Sequence, residues 1–126
     1  CAVLGNYEDA IAATVGEIVP HHEFYDYEGK YLDDSTDLYI PARLPEETIQ
    51  LVRRTAVKAF AAMECTGLAR VDFFVQADGS VLINELNTIP GFTSISMYPK
   101  LFEAAGLPYP QLIDRLLTLA LERRAR

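Results

Sequence analysis

Several things are scarce in this chain, and each shortage excludes a class of protein. Its 126 residues include only two cysteines, Cys1 and Cys65, too few for a disulfide framework. Two reduced thiols fit a cytoplasmic protein, and the cytoplasm is the localisation we expect. No run of about eighteen apolar residues occurs, so no membrane span is expected, and no signal-peptide pattern is visible. Positive charge is also short: eleven Lys and Arg stand against eighteen Asp and Glu, for a formal net charge of −7. The basic residues are scattered apart from the tail "ERRAR", which argues against a nucleic-acid partner, because phosphate binding needs a basic face. There is no internal repeat and no low-complexity segment. An initiator methionine is missing too: the chain opens on "CAVLG", which already reads as strand. We expect a piece of a longer protein, cut within the fold.

What is present suffices for one core. Half the residues are apolar, enough for one compact domain. Cys1–Leu4 and Thr14–Val19 read as strands. Phe24–Ile40 is rich in Tyr and Asp without a clean period, and predicts a long loop with short extended pieces. Pro45–Met63 is the clearest helix. Pro45 suits the first helical position, Glu46 and Glu47 complement the dipole, and Ile49, Val52, Ala56, Phe60 and Met63 make one apolar stripe. A short helix over Lys100–Ala105 should stop at Gly106. Pro110–Arg123 should be another, with Leu112, Ile113, Leu116, Leu117 and Ala120 inward. Between these helices, two apolar runs flank Asp78-Gly79, a hairpin signal. The order of elements predicts an α+β domain with a mostly antiparallel sheet packed with helices.

The hairpin gathers polar residues. With Asp78 and Gly79 as the two turn residues, Ala77 pairs with Ser80, Asp72 falls opposite Glu85, and Arg70 falls opposite Asn87. Side chains alternate along a strand, so these four form one patch at the open end. Phe74, Val81 and Ile83 continue that face. The other face carries Ala69, Val71, Phe73, Val75, Leu82 and Leu86, with Asn84 an unexplained exception. Two carboxylates placed directly opposite repel. Arg70 is one compensation, in a plain salt-bridge cluster, and a divalent cation is the other. Two carboxylates and an amide are an all-oxygen set that suits Mg²⁺. The turn that follows, Thr88-Ile89-Pro90-Gly91, brings backbone N–H groups near the patch. Gly91 permits close approach, and Ser94 and Ser96 can hydrogen-bond a carboxylate, although such hydroxyls also serve as plain helix caps.

Three segments, "FYDYEGKYL", "GLARVDFFV" and "INELNTIPGFTSISMYP", occur in that order, within a match that runs from "AVLGN" to "LIDRLLTLAL". Together they resemble the C-terminal part of the D-alanine–D-alanine ligases, a family of the ATP-grasp superfamily. The resemblance implies that residues 1–126 are a C-terminal ATP-grasp domain, with the N-terminal and central domains outside this chain. It implies a reaction: ATP phosphorylates the carboxylate of one D-alanine, and the amine of a second attacks the acyl phosphate to give a dipeptide precursor of peptidoglycan. It also implies site residues. Asp72, Glu85 and Asn87 would hold two Mg²⁺ ions, with Mn²⁺ a possible substitute. Arg70 and the Gly91 N–H would stabilise the oxyanion and acyl phosphate. Ser96 and the backbone of Met97 would bind the second D-alanine. Lys30 would reach the γ-phosphate, Phe24 and Phe74 would line the adenine pocket, and Tyr31 would join a loop closing over the site. The partners implied are D-alanine, ATP, the remaining domains and a second copy in a homodimer. His21-His22 gets no role, since adjacent residues on an extended chain point apart.

Three alternatives remain open. A D-alanine–D-lactate ligase would share the hairpin and turn but lack the "KY" at Lys30-Tyr31. Another ATP-grasp carboxylate–amine ligase is the second. The third is a fragment that binds Mg²⁺ or nucleotide without turnover, since this chain alone is expected to be catalytically incomplete.

Overall fold

The computed structural model describes residues 1–20 and 36–125. Strand β1 (Ala2–Asn6) leads through a 3₁₀ turn at Tyr7–Asp9 to the short β2 (Ile11–Ala12). Then come β3 (Glu17–Pro20), β4 (Thr36–Tyr39), helix α1 (Glu46–Ala62), β5 (Thr66–Val75), β6 (Val81–Asn87), α2 (Met97–Ala104) and α3 (Tyr109–Ala125). The main sheet has the order β2-β1-β5-β6, every neighbouring pair antiparallel, and β3 pairs with β4 in a separate two-stranded sheet. The α+β class expected from the sequence is the one observed.

The main sheet is a wall between two half-cores. Val3, Ala69 and Val71 point to one side, where Ile49, Val52, Ala56 and Phe60 of α1 cover them. Ala2, Leu4 and Leu68 point to the other, against Tyr98, Leu101 and Phe102 of α2 and Leu112 and Leu119 of α3. This explains why β1 begins as an unbroken apolar run: a strand covered on both faces has no polar side to show.

Several boundaries differ from expectation. The strand predicted over Thr14–Val19 resolves into β2 before it and β3 at its end. Thr36–Tyr39 is one of the short extended pieces expected within the loop, and it is held to β3 in register from Glu17↔Tyr39 to Pro20↔Thr36. Pro45 precedes α1 with extended backbone (φ −55°, ψ 145°) instead of opening it, and Met63 lies past the helix end and is 67% exposed. The helix predicted from Lys100 starts at Met97, three residues earlier, and stops before Gly106 as expected, whose φ is +96°. In α3, Leu112 and Leu119 are buried, but Ile113, Leu117 and Ala120, expected inward, are exposed.

The hairpin departs from prediction in two places that cancel. Its loop has three residues, Ala77-Asp78-Gly79, closed by Gly79 N–H to Gln76 O (2.9 Å) and Gln76 N–H to Ser80 O (2.8 Å). Gly79 has φ +88°, the left-handed residue that a three-residue hairpin loop requires. The pairs near the tip are Val75↔Val81, Phe74↔Leu82 and Phe73↔Ile83, one residue away from those predicted. A bulge then intervenes: Asn84 has no partner, and Asp72↔Glu85, Val71↔Leu86 and Arg70↔Asn87 follow. The pairs at the open end are therefore the predicted ones. Toward the tip the faces exchange. Leu82 shares the face of Phe74, and Val81 and Ile83 that of Phe73, the reverse of the expectation.

Candidate functional site

Arg70, Asp72, Glu85 and Asn87 come together because β5 and β6 carry them on one face. Arg70 and Asp72 are two residues apart on β5, and the guanidinium meets the carboxylate edge-on. Arg70 Nε donates to Asp72 Oδ1 at 2.8 Å, and Nη2 to Oδ2 at 3.0 Å. Arg70 Nη2 also lies 3.9 Å from Glu85 Oε1. One guanidinium thus offsets two opposed carboxylates, and its planar fork allows it to do so. The Arg70 side chain is 18% exposed, Asp72 26% and Glu85 42%, so access to solvent rises toward Glu85.

Asn87 ends the strand and begins the turn. Its Oδ1 accepts the Ile89 N–H at 3.0 Å, a local bond that reverses the chain. The turn is then anchored by aromatic packing. Phe92 lies against Tyr98 (5.7 Å between ring centroids) and Tyr109 (5.5 Å), and the Tyr109 hydroxyl donates to Phe92 O at 3.0 Å. Tyr98 is fully buried and donates from its hydroxyl to Val3 O at 2.8 Å. Burial pushes that phenol far above the usual tyrosine range.

Ser96 directly precedes α2. Its Oγ makes no capping bond to the helix and instead accepts the Thr93 N–H at 3.0 Å and contacts Thr93 Oγ1 at 2.8 Å. A side chain at Gly91 would place its Cβ 3.3 Å from Ser96 Oγ, tighter than ordinary contact. A larger residue there would have to push the Ser96 hydroxyl aside by a few tenths of an ångström; what glycine supplies is room, not a left-handed backbone. Ser94 is exposed and Met97 buried.

A cleft of about 700 Å³ opens between the hairpin, β3 and the start of α1. Arg70, Asp72, Phe74 and Met97 line it, together with Glu17 and Thr48. Phe74, 60% exposed, and its partner Leu82, 52% exposed, present an apolar pair on the Arg70–Asp72 face. Glu85, Asn87, Gly91 and Ser96 are not part of the cleft lining; they follow on from it through Arg70 and Met97. Lys30, Tyr31, Phe24 and the His21-His22 pair lie outside the described residues. Two features escaped sequence reasoning. One is the Thr93–Ser96 hydroxyl pair, for which spacing alone was the signal. The other is Leu82 beside Phe74, which the polar Asn84 within an apolar run could have revealed by marking the bulge.

The donor set suits a hard cation. Each Asp72 oxygen accepts one bond from Arg70 and keeps a second lone pair, as does Asn87 Oδ1 beyond its bond to Ile89. Two carboxylates and an amide oxygen match Mg²⁺ or Mn²⁺, which complete their shells with water and phosphate. Among the described residues, no group of three or more His, Cys, Asp or Glu side chains is placed to hold a metal ion.

Comparison with known proteins decides the family. The model of the D-ala D-ala ligase C-terminus matches residues 1–118. The chain belongs to that family. A D-alanine–D-alanine ligase of Acetivibrio thermocellus is 60% identical over 124 residues, which cover 98% of this chain and 33% of the relative. Among solved structures, the D-alanine–D-alanine ligase of Coxiella burnetii superposes with a TM-score of 0.83 at 45% identity, over 98% of this chain and 31% of that one. A D-Ala:D-Ser ligase of Enterococcus faecalis gives 0.82 at 41% identity, over 94% and 34%. A D-alanine–D-alanine ligase of Bacillus anthracis, solved with ATP, gives 0.76 at 28% identity, over 98% and 38%. The fold is therefore that of the ATP-grasp ligases. This member of the ligase C-terminus family spans about a third of the length of the relatives it matches.

Proposed function

We propose that the chain is the C-terminal portion of the ATP-grasp domain of a D-alanine–D-alanine ligase, and that the full-length protein joins two D-alanines at the expense of ATP for peptidoglycan precursor synthesis in the cytoplasm. The observation that carries this reading is the pairing of Asp72 with Glu85 beside Arg70, in a chain of this family. Asp72, Glu85 and Asn87 would hold the Mg²⁺ ions. When bound, these would neutralise the charge that develops as phosphate is transferred.

The chain's own residues do the rest. The Arg70 guanidinium is held by Asp72 with its outer edge toward Glu85. It stabilises negative charge on the acyl-phosphate oxygens, helped by the Gly91 N–H. Phe74 and Leu82 supply an apolar surface for the base of the nucleotide, and Phe24 would close it. Lys30 would meet the γ-phosphate. Ser96 and the Met97 backbone bind the carboxylate of the second D-alanine and direct its amine toward the acyl group. Tyr31 would help the closing segment exclude water. The domains before Cys1 would supply the first D-alanine site and the rest of the ATP site, and a homodimer is the expected assembly.

The test is product analysis of the full-length protein given ATP, Mg²⁺ and D-alanine, with and without D-lactate or D-serine. D-alanyl-D-alanine with stoichiometric ADP is expected. A dominant depsipeptide at neutral pH, or a D-alanyl-D-serine product, would reassign the second substrate. The likeness to a D-Ala:D-Ser ligase makes D-serine the competitor to include.

A further inference from the structure

The turn after β6 leaves one hydroxyl with a choice of hydrogen-bonding roles. Ser96 Oγ accepts the Thr93 N–H at 3.0 Å and lies 2.8 Å from Thr93 Oγ1, a contact in which either oxygen can be the donor. The Ser96 N–H returns a bond to Thr93 O at 3.0 Å, so the two residues are tied from both sides. Ser96 immediately precedes α2, where a serine hydroxyl ordinarily caps the helix, yet this one makes no such bond.

A serine hydroxyl has one hydrogen and two acceptor positions. The Thr93 amide fills one acceptor position. If Ser96 donates to Thr93, its single hydrogen is used inside the turn, and an incoming anion meets only lone pairs. If Thr93 donates to Ser96, both acceptor positions are filled and the hydrogen is all that Ser96 can offer. A carboxylate accepts hydrogen bonds and donates none, so it selects the second arrangement.

We propose that Thr93 is a positioning residue for the second substrate: its hydroxyl donates to Ser96 Oγ and thereby commits Ser96 to donate its own hydrogen to the substrate carboxylate. This rests on the reading of Ser96 as that carboxylate's partner. Thr93 itself touches no substrate. Its effect falls on the affinity for the second amino acid and not on ATP or the first.

The experiment uses the full-length protein and steady-state rates fitted for both D-alanine sites and for ATP. Thr93→Val keeps the β-branched shape and removes the hydroxyl. It is expected to raise the KM for the second D-alanine about tenfold, the scale of one hydrogen bond to a charged group. The KM for the first D-alanine, the KM for ATP and the melting temperature should stay unchanged. Thr93→Ser should restore the wild-type KM, and Thr93→Val should add nothing to Ser96→Ala, because the two act through one atom. An unchanged KM for the second D-alanine in Thr93→Val overturns the inference. So does a general loss, with all constants and the melting temperature worsening together and no rescue by Thr93→Ser. Absence of ligation by the wild-type protein is a different result: it overturns the function reading on which the inference rests.

Discussion

Asp72 and Glu85 stand opposite each other on β5 and β6, with one guanidinium between them, 2.8 Å from the first carboxylate and 3.9 Å from the second. Opposed like charges destabilise a sheet, so neutralising one of them should cost little stability. Glu85→Gln should leave the melting temperature within a few degrees of wild type while weakening Mg²⁺–nucleotide binding. Calorimetric titration of Mg²⁺-ATP into the full-length protein checks this. Wild-type affinity in the variant would remove Glu85 from the proposed metal site.

Arg70 pairs with Asp72, and the catalytic role proposed for it can be separated from that pairing by substitution. Lysine keeps the charge but loses the edge-on grip on Asp72. Arg70→Lys should lower kcat about 10²–10³-fold, the usual loss on removing one transition-state donor, with a smaller effect on the KM for ATP. A lowered melting temperature with kcat intact would make Arg70 a partner for Asp72 and Glu85 alone.

Asn84 is the extra, unpaired residue of the bulge, and a deletion can show it. Removing Asn84 joins the Phe73↔Ile83 and Asp72↔Glu85 pairs into one regular ladder with every face preserved. Removing Leu82 instead leaves Asn84 to fill the ladder, which puts it opposite Phe73 in the place of Ile83 and moves Ile83 opposite Phe74. The Asn84 deletion should therefore lower the melting temperature less than the Leu82 deletion. Thermal unfolding of the two variants decides it, and equal losses would contradict the bulge.

Tyr98→Phe tests the tie between α2 and β1. It leaves the ring and removes the donor to Val3 O, in a fully buried place. A loss of about 0.5–1.5 kcal/mol is expected, the net worth of one hydrogen bond, because Val3 O keeps its ladder partner on β5. Denaturant unfolding measures it.

Acid should loosen one corner of the fold. Arg43 donates to Glu17 from its backbone N–H and from its guanidinium, and it lies 3.7 Å over the Tyr39 ring. The guanidinium beside Glu17 holds its carboxyl below the ordinary value of 4.5. A lowered carboxylate pKa contributes stability above the unfolded value and loses it as pH falls through the folded one. The gap in melting temperature between wild type and Glu17→Gln should thus be constant above about pH 5 and close below 4.5. It should be small throughout, because the pair is solvent-exposed.

Much of this arrangement was legible in the sequence, for traceable reasons. The Asp78-Gly79 turn signal and strand alternation bring Arg70, Asp72, Glu85 and Asn87 together. That placement survived because a loop one residue longer than predicted was offset by one extra residue at Asn84. A polar residue in an apolar run is ambiguous between a ligand, an edge position and a bulge, and only the partner strand resolves it. The spacing of apolar residues located α3 but not its buried face. Ile113 and Leu117 are as apolar as Leu112, and what decides burial is where α2 and the sheet lie. The strand at Thr36–Tyr39 has no period of its own, because its shape comes from pairing with β3.

If the turn binds the second substrate as proposed, its aromatic anchoring has a consequence for selectivity. Phe92 rests on Tyr98 and Tyr109, and Tyr98 is tied to the backbone of β1, which pairs with the strand that carries Arg70 and Asp72. The charged patch and the Ser96 turn are therefore both mounted on β1, although the patch reaches the turn through β6. A molecule that bridges them meets a gap whose width belongs to the interior packing. Altering residues that no substrate reaches, such as Phe102 behind Tyr98, should change which second substrates fit before it changes the chemistry performed on them.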